Sequence, residues 1–412
     1  DGNYQALSEY PLATMYRLYA GVTTPSQALL TKMQAGINKS LAFQQYFWMP
    51  QPDYSIYCPT AMNCRTTGLL CNPGYPGVWM EHPDFPLARK RFNLLHDPGT
   101  GSGDAGTFSH LANTDAWALR LLNASITAPN PDNVFPTTLN VQGTWLDDIR
   151  RSYLLPHTTD DPAALPTLPT EATTGTWSSL SSLTAWKRPG GLGLYGLVFH
   201  DVNGASSTYA GIMPKGMYGG GPSAFWSAGT GTVVCSMRKY AAGSYTISSA
   251  ADLAHSCVYG NNNGGSFYYT GLGTDRSTRT WNEVDHIFTI ATTLANPAGT
   301  TLTWKYQVEN DKTIVTVNMT TNSSTTPPQT AYINLPISLR GTGYTLDTTQ
   351  ADRLTYTRGA SHMEIKSLAG NVTLDATPVG TGQSDVKRLI LPLPLKNGDS
   401  RVREAVFEVC TY

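Results

Sequence analysis

Along the first fifty residues the apolar positions recur at spacings of three and four. In Thr24-Pro25-Ser26-Gln27 a capping threonine precedes a proline suited to the first helical turn, and Leu29, Leu30, Met33, Ile37 and Leu41 follow on one face. The pattern predicts a helix from there to about Phe47, stopped by Pro50 and Pro52, with a shorter helix around residues 12–20 before it. A second helical signal, FSHLANTDAWALRLLNA, lets Leu111, Ala118, Leu119 and Leu122 share a face before Pro129, Pro131 and Pro136 end it.

Residues 157–176, HTTDDPAALPTLPTEATTGT, are rich in proline and threonine and have no apolar period. Beyond them the pattern switches to period two in LGLYGLVFHD, GTVVCSM, RTWNEVDHIFTIATTL, TLTWKYQVEN, KTIVTVNMT, TAYINLPISL, HMEIKS and REAVFEVCTY. The clearest hairpin joins TLTWKYQVEN to DKTIVTVNMT, with Asn310-Asp311 at the turn. Consecutive strands with almost no helical period between them describe an antiparallel sandwich, not a parallel sheet. The chain therefore reads as α+β: a helical and loop-rich domain over residues 1–155, a linker over 156–176 and a large antiparallel β-sandwich over 177–412. A length of 412 residues is ample for separate cores.

Charge narrows the function classes. Lys plus Arg number 28 against 29 Asp plus Glu, a net charge of -1, so a globally basic nucleic-acid binder is excluded. Charged residues make up only 14% of the chain, which excludes highly charged disorder and long charged coiled coils. No apolar run approaches the roughly 20 residues of a membrane-spanning helix. The chain begins at Asp1 without a leader, which reads as a mature chain or a fragment.

The six cysteines are Cys58, Cys64, Cys71, Cys235, Cys257 and Cys410. The first three lack the paired C-x2-C spacing of a zinc ribbon, and their loop is too rich in Pro, Gly and Asn to hold itself by regular structure. Disulfides in an oxidising compartment are the expectation, with Cys235 and Cys257 able to pair across a hairpin. Five sequons, at Asn38, Asn123, Asn318, Asn322 and Asn371, permit glycosylation without arguing for it in so Asn-, Ser- and Thr-rich a chain.

No nucleophile elbow, zincin, phosphate-loop or EF-hand signature is present. The glycine-rich stretches 191–196 and 219–221 do not sit between a strand and a helix, so turns or bulges are their expected role. Phe199-His200-Asp201 ends an apolar strand near Tyr195, Tyr209 and Tyr218; a His beside a carboxylate can be held as a base or metal ligand, or can simply be a surface residue. In DRSTRTWNEVDHIFT, alternation puts Arg279, Trp281, Glu283 and Asp285 on one face and Thr280, Asn282, Val284 and His286 on the other. Arg279 with an exposed Trp281 suits a sugar carboxylate and the apolar face of a pyranose; an outward ion pair and a core Trp is the plainer alternative. In the N-terminal part, His110 lies beside a helix start, where an anion can bind. Glu81 and Asp84 in GVWMEHPDFP have the residue types of a glycosidase acid and base.

A helical N-terminal part, a Pro/Thr-rich bridge and a sandwich ending in TLTWKYQVENDKTIVTVNMT, AYINLPISL and VFEVCTY resemble the C-terminal half of polysaccharide lyases of the heparinase II/III-like and chondroitin lyase type. The resemblance covers residues 100–412 and lies in segment order and strand texture. It implies an incomplete toroid of paired helices before the sandwich, a cleft between them, and β-elimination on an acidic, uronate-containing polysaccharide outside the cell. There a cationic or polar side chain or a divalent metal lowers the pKa of the proton beside the uronate, and a Tyr or His removes it. Carried onto this chain by type, the catalytic candidates are His110, His200, Tyr209, Tyr218, Arg279 and His286, with Arg279 on the carboxylate. Trp281, Trp226 and Asn282 are the expected sugar contacts, and no cofactor is required. The chain departs from the pattern in having too few helices. Two alternatives remain: a noncatalytic glycan-binding or structural sandwich, and a glycoside hydrolase that pairs Glu81 with Asp84 or Asp285.

Overall fold

The structure is a computed structural model. It describes residues 23–52, 56–57, 166–179, 183–188, 193–200, 219–236, 254–262, 265–269, 276–294, 298–339, 343–379 and 386–412, with a few isolated positions between 12 and 20 and between 85 and 90. They fall into two compact units, one holding the N-terminal helix and ending at Leu168, the other running from Pro169 to Tyr412.

In the first unit helix α1 (Gln27–Gln44) is capped by Ser26, whose Oγ accepts from the Leu29 amide at 3.4 Å. The cap thus falls on Ser26 and not on Thr24. Pro25 lies ahead of the helix, because Ser26 can itself fold back onto the amide three residues on. Met33, Ile37 and Leu41 form the buried stripe and pack with Tyr16, Trp48, Phe85 and Leu168. The chain tightens into a single 3-10 turn at Gln45–Phe47 before a two-residue ribbon of β1 (Met49–Pro50) and β2 (Ile56–Tyr57). The helical signal at 108–124 lies outside the described residues. Among those described there is one long helix, and a toroid of paired helices is not among them.

The second unit is a two-sheet antiparallel sandwich. Its first seven strands are β3 (Gly175–Ser179), β4 (Leu183–Lys187), β5 (Tyr195–His200), β6 (Gly219–Ser227), β7 (Gly231–Cys235), β8 (Cys257–Asn262) and β9 (Gly265–Tyr269). Next come β10 (Arg276–Asn282), β11 (Ile287–Leu294), β12 (Thr300–Val308), β13 (Lys312–Thr321) and β14 (Thr330–Ser338). The rest are β15 (Tyr344–Asp347), β16 (Arg353–Arg358), β17 (Ser361–Ser367), β18 (Thr373–Leu374), β19 (Val386–Pro392), β20 (Leu395–Lys396) and β21 (Asp399–Thr411). One sheet runs β10-β11-β12-β13-β21-β17-β16-β15, with β20 on β21; the other runs β18-β19-β14-β7-β6-β5-β4-β3, with β8 on β14 and β9 on β8. The expected hairpin is β12–β13: Val308 faces Thr313 and the Glu309 amide donates to the Lys312 carbonyl at 2.9 Å, leaving Asn310-Asp311 at the tip.

The two sheets bury their residues differently. In β11, β12, β13 and β21, the middle of the β10-to-β15 sheet, burial alternates, as in β12, where Leu302, Trp304, Tyr306 and Val308 point inward and their neighbours stay half exposed. In β4, β6 and β7 every position is buried. Those strands are covered on both faces, and their sequences, such as GGGPSAFWS, lack a polar alternation for that reason. Between the sheets Trp186 meets Phe225, Phe288 and Tyr306 at ring distances of 6.0, 5.1 and 5.3 Å. Hydrogen bonds cross the gap as well: Trp186 Nε1 donates to Thr313 Oγ1 at 3.0 Å, and the Tyr306 hydroxyl to the Gly220 carbonyl at 2.6 Å.

Glycine makes this approach possible. A Cβ on Gly196 would lie 2.0 Å from the Trp186 ring, and one on Gly220, at φ +90°, 2.8 Å from Ile290. The β5–β6 register also shifts between Val198 and His200, so the 219–221 glycines form a bulge, as expected.

Strands β7 and β8 lie end to end along one side of β14, where Val234 faces Ile337 and Cys257 faces Asn334. The chain leaves this line after Ser236 and rejoins it at Ala254. The junction is tied by Ser236 Oγ, which donates to the Pro222 carbonyl at 3.2 Å and accepts from the Ser256 amide at 3.1 Å. Asn334 Nδ2 donates to the His255 carbonyl at 2.7 Å. Cys235 and Cys257 are therefore successive positions along one strand line, not opposite members of a hairpin, and Cys257 and Cys410 are thiols. Side chains two places apart on a strand line stand about 6.6 Å apart, beyond the roughly 3.8 Å between Cβ atoms that a disulfide needs. Cys58, Cys64 and Cys71 lie outside the described residues.

His255 is wholly buried, and burial alone holds its pKa down at about 4. The unfolded chain takes up this proton near pH 6.5, whereas the native protein resists it until about pH 4. Its contribution to stability is complete above pH 6.5 and is lost as pH falls through that window, by about 3 kcal/mol in all. Denaturant unfolding at pH 7.0 and 4.5 should show a larger acid loss for the wild type than for His255→Gln. Equal losses would contradict the buried, neutral imidazole.

Candidate functional site

Strand β10 closes one side of its sheet, and its inward face carries Ser277, Arg279 and Trp281. Each sits opposite a residue of β11: Ser277 faces Thr292, Arg279 faces Ile290 and Trp281 faces Phe288. The indole stacks on Phe288 at 5.7 Å and 23°, and Phe288 stacks on Tyr306 at 4.5 Å and 9°. This aromatic row runs from the core out to the rim, where Trp281 keeps 37% of its surface exposed. Among the described residues β10 is the last strand on this side of the sheet, and the ring is held on its Phe288 side. Trp281 thus combines the two expectations, since it belongs to the core's aromatic row and still faces solvent.

The opposite sheet meets this rim at the glycine bulge. Thr292 Oγ1, 2.8 Å from Ser277 Oγ, donates to the Gly219 carbonyl at 3.5 Å. Gly219 in turn pairs with His200, the last residue of β5. The backbone therefore brings the end of β5, the start of β6 and the Arg279 strand to one place on the sandwich rim. Arg279 is half-buried there. Tyr209, Tyr218, His110, Glu81 and Asp84 and the His200 side chain lie outside the described residues.

The remaining residues of the predicted cluster do other work. The alternation along β10 holds only to Asn282, where the strand ends and a turn begins. Asn282 Oδ1 accepts from the Val284 and Asp285 amides at 3.1 and 3.2 Å, and its Nδ2 donates to Asp285 Oδ2 at 2.6 Å. Asn282 is therefore a turn-building residue and not a sugar contact, since its polar atoms are committed to the hairpin. His286 occupies the exposed turn at φ +52°, and its carbonyl accepts from the Val308 amide at 3.0 Å, so it sits beyond the rim instead of beside Arg279. Among the described residues no group of three His, Cys, Asp or Glu side chains is placed to hold a metal ion.

A second polar cluster, on the outer face of the same sheet, was not legible beforehand. Asp352 Oδ1 and Oδ2 accept from Arg353 at 2.9 and 3.2 Å, and Arg353 Nη1 donates to both Glu364 carboxylate oxygens at 3.1 Å. The Tyr412 hydroxyl donates to Glu364 Oε2 at 3.5 Å, and its ring stacks on His362 at 5.2 Å and 25°. His362 Nδ1 lies 2.8 Å from Thr357 Oγ1. Burial, reinforced by the Glu364 charge, raises the Tyr412 phenol above its ordinary pKa. Period two shows that His362 and Tyr412 are on strands, but not that those strands are neighbours.

No family model matches the chain, and no curated protein does. Among solved structures, heparan sulfate lyase HepC from Pedobacter heparinus aligns at a TM-score of 0.38 and 10% identity, over 100% of this chain and 68% of that one. A 4-alpha-glucanotransferase from Thermococcus litoralis aligns at 0.32 and 11%, over 58% of this chain and 39% of that one. A galactose mutarotase-like protein from Clostridium acetobutylicum aligns at 0.33 and 7%, over 58% of this chain and 98% of that one. Likenesses this distant leave function to be argued from the residues.

Trp226 is not available to a sugar. It is 3% exposed in doubly covered β6, edge-on to Tyr195 at 6.4 Å, with the Lys187 ammonium 4.7 Å from its ring centre. Lys187 Nζ also donates to the Thr170 carbonyl at 2.8 Å. Burial lowers this ammonium's pKa to about 8. The native state therefore bears the cost of a buried charge below pH 8, and is relieved of it as pH rises toward the unfolded value near 10.5. The stability difference between wild type and Lys187→Met should move in favour of the wild type between pH 7 and pH 10. A difference independent of pH would show that the amine is solvated.

Proposed function

We propose that this protein is a carbohydrate-active protein that takes an acidic polysaccharide along the β10 rim and cleaves it by β-elimination. The observation that carries the reading is Arg279 and the exposed Trp281 two places apart on one face of β10, a strand whose Ser277 lies beside Thr292 and so near Gly219, the pairing partner of His200; this supplies a cation, a stacking face and a neighbouring candidate base. In this reading the Arg279 guanidinium binds the uronate carboxylate and stabilises the charge that develops when the neighbouring C–H proton leaves. Trp281 holds the apolar face of a sugar ring. His200 or Tyr218, with Tyr209 as a further candidate, removes the proton and returns one to the departing glycosidic oxygen. We place the protein outside the cell, where such polysaccharides are found.

A second reading is a noncatalytic glycan-binding sandwich, since an arginine and an exposed indole on one face of a strand can hold a sugar acid with no proton transfer. A hydrolase draws less support, because Asp285 is tied to Asn282 in the exposed turn.

Absorbance near 235 nm separates these readings, because β-elimination leaves an unsaturated uronate that absorbs there. Incubation with uronate-containing polysaccharides, with and without divalent cations, should give a rise. Arg279→Gln should lower the rate by about 100-fold or more with the fold intact, as expected for loss of one charge-stabilising group. Binding without a rise favours the noncatalytic sandwich, and reducing sugar without a rise favours hydrolysis.

A further inference from the structure

The outer-face cluster on β16, β17 and β21 has the form of a ligand site. We propose that His362 and Tyr412 form a second, noncatalytic glycan contact that takes an uncharged pyranose, separate from the β10 rim.

Its rings are held rigidly. The His362 amide donates to the Tyr412 carbonyl at 2.7 Å and the Tyr412 amide returns a bond to the His362 carbonyl at 3.1 Å, so the two backbones are locked side by side. Thr357 fixes the imidazole through Nδ1, which leaves the Nε2 edge to meet a ligand. Glu364 fixes the phenol, and Arg353 and Asp352 in turn fix Glu364. This chain of side chains stands on three neighbouring strands, and support of this kind is what keeps a binding group in place before its ligand arrives. Tyr412 remains 53% exposed, so much of its constrained ring is accessible to a ligand.

The charges select the ligand. Arg353 lies between two carboxylates and has both nitrogen edges occupied by them, so it offers little to an anion. Asp352, Arg353, Glu364 and Lys366, which faces Arg353 across the β16–β17 pair, together sum to no net charge, so the cluster gives uronates, sulfates and phosphates no net attraction. What remains is an aromatic platform rimmed by a carboxylate, a hydroxyl and an imidazole, which matches the apolar face and hydroxyl rim of a neutral sugar. The same cluster is a poor eliminating site, because its phenol is held above its ordinary pKa and its guanidinium is already engaged.

The test is calorimetric titration of the full-length protein with tetrasaccharides of glucose, mannose and N-acetylglucosamine. At least one should bind. Tyr412→Ala should weaken it tenfold or more, and Tyr412→Phe should keep most of the affinity. Circular dichroism and thermal unfolding of each variant guard against misfolding, and His362→Ala provides an independent variant that should also weaken binding. No binding of any neutral tetrasaccharide overturns the proposal. So does an affinity that survives Tyr412→Ala, or one that is lost in Trp281→Ala and not in Tyr412→Ala. Preference for tetramethylammonium over every sugar would also overturn it, by making the platform a cation box. The 235 nm assay is unaffected by these outcomes, so the rim reading and this one can fail separately.

Discussion

The second unit depends on the contact of Trp186 with Phe288 and Tyr306 across the sandwich. Large rings from both sheets fill the gap, yet each indole or phenol also carries a polar atom that must find a partner once buried. Trp186 finds Thr313, and Tyr306 finds the backbone carbonyl of Gly220. Both solutions demand close approach, and that demand is met by removing side chains at Gly196 and Gly220. The glycine-rich sequence of β6 is thus a packing requirement of the aromatic core.

This packing also shapes the rim. The bulge that lets Gly220 reach Tyr306 brings Gly219 to Thr292, and with it the end of β5. On the other sheet, the aromatic row runs through Tyr306 and Phe288 to Trp281 on β10, the last strand on that side among the described residues. The exposed indole is the outer member of a buried stack, so its orientation is set by the core and not by solvent. A binding ring supported this way gives up little side-chain entropy when a sugar is laid on it.

Local pattern carried much of this architecture. The helix over 27–44, the β12–β13 hairpin and the run of antiparallel strands were all legible, because period and turn chemistry are properties of neighbouring residues. Sheet order was not: β13 pairs with β21 and β8 with β14 across long stretches of chain, and no local signal encodes those choices. The same limit explains the site. Arg279 and Trp281 were legible as a pair two apart on one strand, whereas Asn282 was misread because an Asx turn competes with the strand for that residue. Trp226 was misread because nothing local distinguishes a strand covered on both faces from one that presents a ring to solvent. His362 with Tyr412 stayed hidden, since the two residues meet only through the β17–β21 pairing.

The two clusters differ in the way their arginines are used, and that difference bears on function more than their residue types do. Arg353 is held by two carboxylates, so its charge is spent within the protein and serves to orient Glu364. Arg279 stands half-buried on a rim strand, on the same face as the exposed Trp281. A guanidinium stabilises an incoming anion to the extent that its field is not already cancelled by fixed charges beside it. By that measure Arg353 has little field left to offer an anion, and its part in the cluster is to hold Glu364 in place.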